Sequence, residues 1–355
     1  KRIWNKNLML YDLFLTIVFF LSSFGFNEFN EISTCNDDEI FEIVCGFQNP
    51  EDLYLSPSET KIIVSEFGSL APNTKFGNLV YLDLVTNKIE PISISYEFNE
   101  WGEDSCILED KKISPHGIDL IERNDGKYML AVVNHLPRET IELFEFIETD
   151  TVELIWRGCV DAPQNKYFND IALKKDGSFY ATSMFDSNIS QWSLVSASLF
   201  VSDTGEVFYW NKDNGFEVIP NTRGSFPNGI DLSFDEKFLY INYWFSGLTV
   251  KFNLIKNSVD YEHFAGGKDN LLVTDTGLWV AAHDYSGLEG LQCDESIIQC
   301  PLPFTIHQLS LFDLSEINSY EFSNKQMGAA TVALPEKNKI WLGTFHGDRI
   351  ASFNI

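Results

Sequence analysis

Short apolar runs separated by polar turns recur along the chain at intervals of roughly 40 to 65 residues. Each unit opens on a polar residue and a short apolar run. It then passes through a turn rich in Asp, Asn or Gly and continues in a second apolar run. Six units are recognisable, and their first runs occupy residues 51–55, 116–120, 169–173, 228–232, 269–272 and 328–333. Third and fourth strands are visible in several units, so each unit predicts a sheet of about four strands.

Repeated four-stranded units of this length predict an all-β fold, a six-bladed β-propeller. The sixth unit is short, so we expect residues 39–44 to supply its outer strand and to close the ring between the two ends of the chain. The first strand of each blade lines the central channel, and equivalent openings therefore converge on one axis. Residues 183–201 interrupt the third unit, and this apolar insertion predicts either a lid helix over the channel mouth or a packed loop.

The first residues differ in character from the repeats. Residues 1–25 combine a basic start, an apolar run over residues 8–20 and small polar residues, which is typical of a signal peptide. The run is short for a membrane span, and Asp12 would be costly in a bilayer. We expect an exported protein, secreted or periplasmic. The alternative is an uncleaved N-terminal anchor, which would be the protein's one route to a membrane. Residues 26–355 are expected to form a single propeller domain.

Composition narrows the function classes. The 355-residue chain contains 30 Phe, 13 Tyr and 8 Trp, which suits a strand-rich core. Its formal net charge of −27 argues against a nucleic-acid partner, because phosphate binding needs a basic surface. The sequence also lacks a Gly-x-Ser-x-Gly nucleophile elbow and a glycine-rich phosphate loop, so serine hydrolases and nucleotide-binding proteins are disfavoured.

The six cysteines favour disulfides in an exported protein. Many connectivities are open to them. The shortest loops predict Cys35–Cys45 and Cys293–Cys300, which leaves Cys106 with Cys159 as a third pair. Zinc is the competing interpretation, but the chain has no CxxC or CxxH cluster.

The strand openings carry oxygen ligands at equivalent positions in four blades. The residues concerned are Glu51, Asn169, Asn228, Asp269 and Asn270. Carboxylate and amide oxygens without thiolate suit calcium better than zinc or copper. Side chains alternate along a strand, which turns Asp52 and Asp170 away from this set. Together with the carbonyl of Ile118 they predict a second, deeper calcium site with a structural role.

Two histidines lie on neighbouring strands of the second unit, His116 and His135. We expect His116 to take a proton from water near the metal while His135 holds or tunes it. Two structural imidazoles are the alternative. His283 and His346 end the second strands of the fifth and sixth units, where each would line the pocket.

In this order these motifs resemble the paraoxonase/arylesterase family, within the wider group of senescence-marker/gluconolactonase proteins. The matching segments, from about residue 40 onward, include Pro50-Glu51-Asp52, Pro115-His116-Gly117-Ile118, Val132-Val133-Asn134-His135, Asn169-Asp170-Ile171, Asn228-Gly229-Ile230 and Asp269-Asn270. The resemblance implies two calcium ions, one catalytic and one structural, on the ligand sets given above. It also implies a His116–His135 dyad and the hydrolysis of small-molecule lactones and aryl esters. The family's disulfide near the C-terminus has no counterpart, since no cysteine follows Cys300.

The sequence therefore predicts a calcium-dependent ester and lactone hydrolase with His116 as base, and with Asp269 as an alternative base or nucleophile. Two other interpretations stay open. One is a calcium-stabilised propeller that binds a ligand without turning it over, although such a scaffold has no need of the histidine pair. The other is a same-fold enzyme with different chemistry, such as a phosphotriesterase or a strictosidine-synthase-like enzyme.

Overall fold

Six sheets form the six blades of a β-propeller, as the repeat pattern predicts. The computed structural model describes residues 29–68, 75–107, 111–286, 289–293 and 296–355. The predicted signal peptide or anchor over residues 1–25 lies outside the described residues and stays a prediction.

Each blade runs from an inner strand at the channel to an outer strand at the rim. Blade 1 contains β2 (Pro50–Leu55), β3 (Lys61–Glu66), β4 (Asn78–Asp83) and β5 (Lys88–Pro91). Blade 2 contains β7 (Pro115–Glu122), β8 (Tyr128–Asn134), β9 (Thr140–Glu148) and β10 (Val152–Asp161), with β6 (Ser93–Tyr96) outside them. Blade 3 contains β11 (Lys166–Leu173), β12 (Phe179–Asp186), β13 (Glu206–Asn211) and β14 (Gly215–Val218).

Blades 4 to 6 complete the ring. Blade 4 contains β15 (Pro227–Leu232), β16 (Phe238–Tyr243), β17 (Leu248–Asn253) and β18 (Ser258–Phe264). Blade 5 contains β19 (Gly267–Thr274), β20 (Gly277–His283), β21 (Phe304–Leu309) and β22 (Glu316–Phe322). Blade 6 contains β23 (Ala330–Glu336), β24 (Lys339–Thr344), β25 (Arg349–Asn354) and β1 (Glu42–Cys45).

The ring closes as predicted, because β1 supplies the outer strand of blade 6. It pairs antiparallel with β25, and Glu42 lies opposite Ser352. Just before β1, the buried ring of Phe41 packs against Phe322 and Phe353. The two ends of the described chain thus share one sheet, which removes an open edge.

The apolar alternation along the strands forms layers between neighbouring blades. Leu53 and Val64 of blade 1 belong to one cluster with Trp341 and Ile350 of blade 6. Similar clusters lie between the other blades, which explains why each unit needs its neighbours to bury its faces.

All three predicted disulfides are present: Cys35–Cys45, Cys106–Cys159 and Cys293–Cys300. The first ties the N-terminal segment to β1. The second fastens the connection between β6 and β7 to β10, and the third closes the excursion between β20 and β21.

The interruption in the third unit contains a helix, α1 (Gln191–Phe200), with Ser190 as its N-cap. It follows β12, whose last residues pair with the start of β11, so α1 lies at the end of the propeller where the inner strands begin. A short 3-10 helix covers Glu289–Gln292. Within the described ranges, no helix is long and apolar enough to cross a bilayer.

The inner strands share an irregularity close to where they start. Their pairing with the second strand shifts register at Pro50/Asp52, Pro115/Ile118, Phe168/Ile171, Pro227/Ile230, Lys268/Leu271 and Ala330/Val332. A bulge releases one or two residues from the ladder and redirects their side chains. All of the predicted oxygen ligands lie at or beside these positions, so the bulges direct them to the channel.

Candidate metal centre and active site

The five predicted oxygen ligands come together at the start of the inner strands. Glu51, Asn169, Asn228, Asp269 and Asn270 are all buried, with exposed fractions of 6% or less. Asn270 Nδ2 donates to Glu51 Oε1 at 3.1 Å, across a separation of 219 residues. The charge of Glu51 also acts on Asp269, which places blades 1 and 5 at one site.

The amide groups at this site use their nitrogens and leave their oxygens free. Asn169 Nδ2 lies 3.3 Å from His116 Nε2, and Asn270 Nδ2 contacts Glu51. Four buried oxygens of this ligand group have no hydrogen-bond partner among the described residues: Glu51 Oε2, Asn169 Oδ1, Asn228 Oδ1 and Asn270 Oδ1. Buried polar atoms without partners are costly and rare. Oxygens from four strands that share this condition fit a hard cation such as calcium, which is coordinated by oxygen ligands of this type.

Asp269 belongs to the same group, and its surroundings disfavour the ionised form of its carboxyl. Burial, and then the negative charge of Glu51, raise the pKa of the Asp269 carboxyl well above its usual value. On its other side, His283 Nε2 lies 3.3 Å from Asp269 Oδ2. Trp244 Nε1 donates to His283 Nδ1 at 3.0 Å. Because an indole N–H can only donate, His283 Nδ1 must accept, and the proton of the neutral ring resides on Nε2 facing Asp269.

A second tier of carboxylates lies below the first. Asp52 Oδ2 accepts from the Ile118 amide, and Asp170 Oδ2 accepts from the Ile230 amide, both at 2.8 Å. Burial raises the pKa of both carboxyls well above its usual value, followed by the charge of Glu51 for Asp52 and of Asp52 for Asp170. Two buried carboxylates that repel each other need a proton or a cation between them. Asp52 and Asp170 thus fit a shared cation such as calcium, and the role of the Ile118 carbonyl as a third ligand stays a prediction.

His116 and His135 form a directly bonded pair beside the upper group. His116 Nδ1 lies 2.7 Å from His135 Nε2, and His116 Nε2 lies 3.5 Å from Glu51 Oε1. The rings pack against Phe67, and His135 stacks on Tyr167 with centroids 4.2 Å apart. Ser65 Oγ donates to the His116 carbonyl at 2.6 Å, which fixes the bulged backbone. Burial lowers the pKa of His135.

Comparison with known proteins identifies the family of the chain. A family model described as Arylesterase matches residues 33–280, well over half of the 355-residue chain. The chain belongs to the arylesterase family. The family resemblance inferred from the strand openings is thereby confirmed.

Its relatives include the serum paraoxonases. Serum paraoxonase/lactonase 3 of Mus musculus is 30% identical over 208 residues, which cover 56% of this chain and 54% of the mouse protein. Serum paraoxonase/arylesterase 1 of Mus musculus is 28% identical over 221 residues, or 59% and 56% of the two chains. The chain thus spans little more than half the length of these two relatives. Serum paraoxonase/arylesterase 1 of Homo sapiens is 25% identical over 337 residues, 89% of this chain and 88% of the human one.

Solved structures confirm the fold. A luciferin-regenerating enzyme has a TM-score of 0.53 at 10% identity and covers 89% of this chain and 95% of its own. A gluconolactonase from Xanthomonas campestris has a TM-score of 0.52 at 11% identity and covers 92% of this chain and 95% of its own. At identities this low, the structural similarity shows the propeller fold and nothing about function.

Four aspartates of this arylesterase-family propeller link successive inner strands. Asp52 and Asp170 were expected near the metal, whereas the sequence analysis assigned no role to Asp119 and Asp231. Asp119 Oδ2 accepts from the Leu173 amide at 2.6 Å, and Asp231 Oδ2 accepts from the Val273 amide at 2.7 Å. Each aspartate therefore accepts an amide proton from the inner strand of the next blade. The recurrence of Gly-Ile-Asp-Leu at residues 117–120 and 229–232 was the signal that would have revealed this pattern.

The same two repeats carry glycines at points of close approach. A Cβ on Gly117 would lie 2.4 Å from Asp170 Oδ1, and one on Gly229 would lie 2.6 Å from Asn270 Cα. Both contacts are far below van der Waals distance, so only glycine lets neighbouring inner strands meet at the channel.

We expect Gly229→Ala to destabilise the fold by about 1–3 kcal/mol, because the added methyl pushes β15 away from β19. It should also weaken calcium binding, since Asn228 and Asn270 flank the contact. Thermal unfolding and calcium titration calorimetry measure the two effects. Gly290→Ala is the control, because its Cβ would meet just the Tyr285 ring, at 3.4 Å. An unchanged melting temperature together with unchanged calcium affinity in Gly229→Ala would contradict this interpretation.

An arc of aromatic rings spans the site from His135 to His283. Its successive centroid distances are 4.2 Å (His135–Tyr167), 5.0 Å (Tyr167–Phe185), 5.6 Å (Phe185–Phe226), 5.9 Å (Phe226–Trp244) and 6.1 Å (Trp244–His283). Such a wall offers an apolar, aromatic surface next to the polar metal group. Its members lie at or next to strand ends and carry no common motif, so the sequence pattern does not predict the wall.

The remaining histidines do not join the metal group. His346 Nε2 donates to the Ile297 carbonyl at 3.1 Å and thereby holds the Cys293–Cys300 excursion, and its predicted place in the pocket stays a prediction. His263 and His307 meet Glu316 between blades 4 and 5. There Lys268 Nζ lies 3.4 Å from His263 Nδ1, and burial lowers the pKa of Lys268 to about 7.

Proposed function

We propose that this protein is an exported, calcium-dependent hydrolase of lactones and aryl esters. The observation that carries the proposal is the convergence of four unpartnered buried oxygens, on Glu51, Asn169, Asn228 and Asn270, beside a histidine pair. Membership of the arylesterase family supports the reaction class. The three disulfides support export, because such bonds persist in oxidising compartments.

Two sets of ligands would hold calcium. Glu51, Asn169, Asn228, Asp269 and Asn270 would hold the catalytic ion, and Asp52, Asp170 and the carbonyl of Ile118 would hold the structural ion. The donor sets contain carboxylate, amide and carbonyl oxygens, as calcium prefers. When bound at the upper set, the ion polarises an ester carbonyl and stabilises the charge that develops on its oxygen.

The chain's own residues would move the proton. His116 Nε2 is the ring nitrogen that faces the ligand group, and it would accept a proton from the attacking water. The water oxygen bonds to the carbonyl carbon, the bond to the leaving oxygen breaks, and the proton passes to that oxygen. Asp269 is the alternative base or nucleophile, and His283 at 3.3 Å would orient it.

The shape of the site favours substrates with an apolar part. The ring contacts from Tyr167 to Trp244 would bind an aryl group or the aliphatic portion of a lactone. The aromatic wall beside the proposed carbonyl site therefore supports an ester or lactone substrate with an aryl or aliphatic part.

The direct test is hydrolysis of a panel by purified protein in the presence of calcium, after chelation, and after calcium is restored. The panel contains lactones of several ring and chain lengths, phenyl acetate and a phosphotriester. We expect turnover of lactones or phenyl acetate that disappears on chelation and returns with calcium. Stoichiometric calcium binding without turnover of any of these compounds would overturn the proposal and favour a ligand-binding propeller. Turnover of the phosphotriester alone would move the activity to another substrate class.

A further inference from the structure

The hydrogen bonds of the histidine pair continue beyond His135 to Glu139. The two oxygens of Glu139 lie 2.9 and 3.0 Å from His135 Nδ1, so the carboxylate faces this nitrogen with both oxygens. Glu139 stands four positions after His135, in the turn before β9, and no sequence motif marks it.

The donor and the acceptor of each hydrogen bond from Glu139 through His135 to His116 can be assigned. An ionised carboxylate can only accept, so His135 Nδ1 must carry a proton and donate it to Glu139. His135 Nε2 of the neutral ring is then an acceptor, and His116 Nδ1 donates to it across 2.7 Å. The remaining nitrogen, His116 Nε2, therefore carries no proton. Its lone pair is directed at the ligand group that contains Glu51 and Asn169.

The turn that carries Glu139 is held from both sides. The Ala162 amide donates to the Glu139 carbonyl at 3.1 Å, and Arg138 Nε donates to Asp161 Oδ1 at 2.6 Å. His135 is fixed by its stack on Tyr167, and its amide donates to the Ser114 carbonyl. The carboxylate and the ring are therefore preorganised relative to one another.

We propose that Glu139 is a positioning residue of the reaction, which fixes the tautomer and orientation of His135 and so makes His116 Nε2 the basic nitrogen. The side chain of Glu139 is 20% exposed whereas that of His135 is 1% exposed, so the negative charge lies near the surface and stabilises a buried ring. Without it, either nitrogen of His135 can hold the proton, and His116 then loses its defined acceptor. The catalytic part of this inference rests on the proposed function, and the tautomer does not.

The test combines spectroscopy and kinetics on the full chain loaded with calcium. In ¹⁵N-histidine spectra, the His135 signals, assigned with His135→Gln, should show a protonated Nδ1 and an unprotonated Nε2. Glu139→Gln should convert this pattern to a tautomer mixture, because an amide can donate or accept. Glu139→Asp, which keeps the carboxylate, should retain more of the Nδ1-protonated form.

The kinetic arm measures ester or lactone turnover. Glu139→Gln should lower kcat by about 10- to 100-fold with little change in KM or calcium affinity. In a His135→Gln background the same change should have no further effect, since Glu139 acts through that ring. Glu153→Gln, an exposed glutamate on β10, is the matched control and should retain wild-type kcat.

Two outcomes would overturn the inference. One is a wild-type spectrum in which His135 is protonated at Nε2, and the other is a Glu139→Gln variant with unchanged tautomer and kcat. If no compound of the panel is turned over, the spectra still decide the tautomer, and failure of the proposed hydrolase is then separate from failure of the Glu139 assignment.

Discussion

Replacement of His116 by glutamine is expected to lower kcat for ester and lactone hydrolysis about 100- to 10,000-fold, the usual contribution of a general base. His116 Nε2 is the one nitrogen of the pair that faces the ligand group, at 3.5 Å from Glu51 and 3.3 Å from Asn169. Glutamine fills a similar volume but cannot take a proton at neutral pH. Calcium affinity should change little, because the five ligands of the upper set remain.

The measurement is kcat and KM at saturating calcium, with calcium titration calorimetry as an independent check on the site. His263→Gln is the matched control, because this histidine lies between blades 4 and 5 and contacts Lys268 and Glu316. Wild-type turnover in calcium-loaded His116→Gln would exclude His116 as the base. Asp269→Asn would then be measured under the same conditions, and wild-type turnover in both variants would defeat the mechanism.

The propeller was predictable because its apolar runs recur at regular intervals along the sequence. Units that begin with the same polar opening must present that opening to the same axis, so Glu51, Asn169, Asn228 and Asn270 converge despite large separations in sequence. Ring closure followed from a sixth unit with too few strands. These features depend on topology, and topology is encoded in the spacing of the apolar runs.

The details of the site depend on geometry that no spacing reveals. The register shifts at the inner strands turn side chains into the channel, and a bulge has no sequence signature of its own here. Strand β6 is a similar case, since it pairs in parallel with β10 across a long connection. Glu139 was missed because a glutamate in a turn is ordinarily a solvated charge, and its contact with His135 appears only once the turn is folded.

Removal of calcium is expected to reverse the sign of the pH dependence of stability. In the metal-free protein, burial raises the pKa of Asp52, Asp170 and Asp269 well above the usual value of 3.8, and raises that of Asp119 to about 6. At these four carboxyls the folded state therefore binds more protons than the unfolded state above pH 3.8. Its stability is fully present below this pH and falls as the pH rises through the raised values.

Calcium at the proposed sites would change the sign at the ligand carboxylates. A cation beside a carboxylate favours the ionised form and depresses its pKa, so protons compete with the metal. Stability then holds at neutral pH and is lost as the pH falls through the depressed values. At a thousand-fold excess over Kd, each ion adds about 4 kcal/mol to the unfolding free energy, so two ions should raise Tm by more than about 10 °C near neutrality.

Calorimetric melting of calcium-loaded and decalcified protein between about pH 5 and pH 7.5 measures both slopes. The calcium-loaded protein should melt at a nearly constant temperature over this range, because its ligand carboxylates are then ionised in both the folded and the unfolded state, whereas the decalcified protein should melt at a lower temperature as pH rises. Asp52→Asn should reduce the contrast, because it removes one carboxylate of the deeper set, whereas Asp150→Asn at an exposed turn should leave it unchanged. Parallel slopes with and without calcium would show that these buried carboxylates do not hold the ion, and the two-tier calcium site would have to be abandoned.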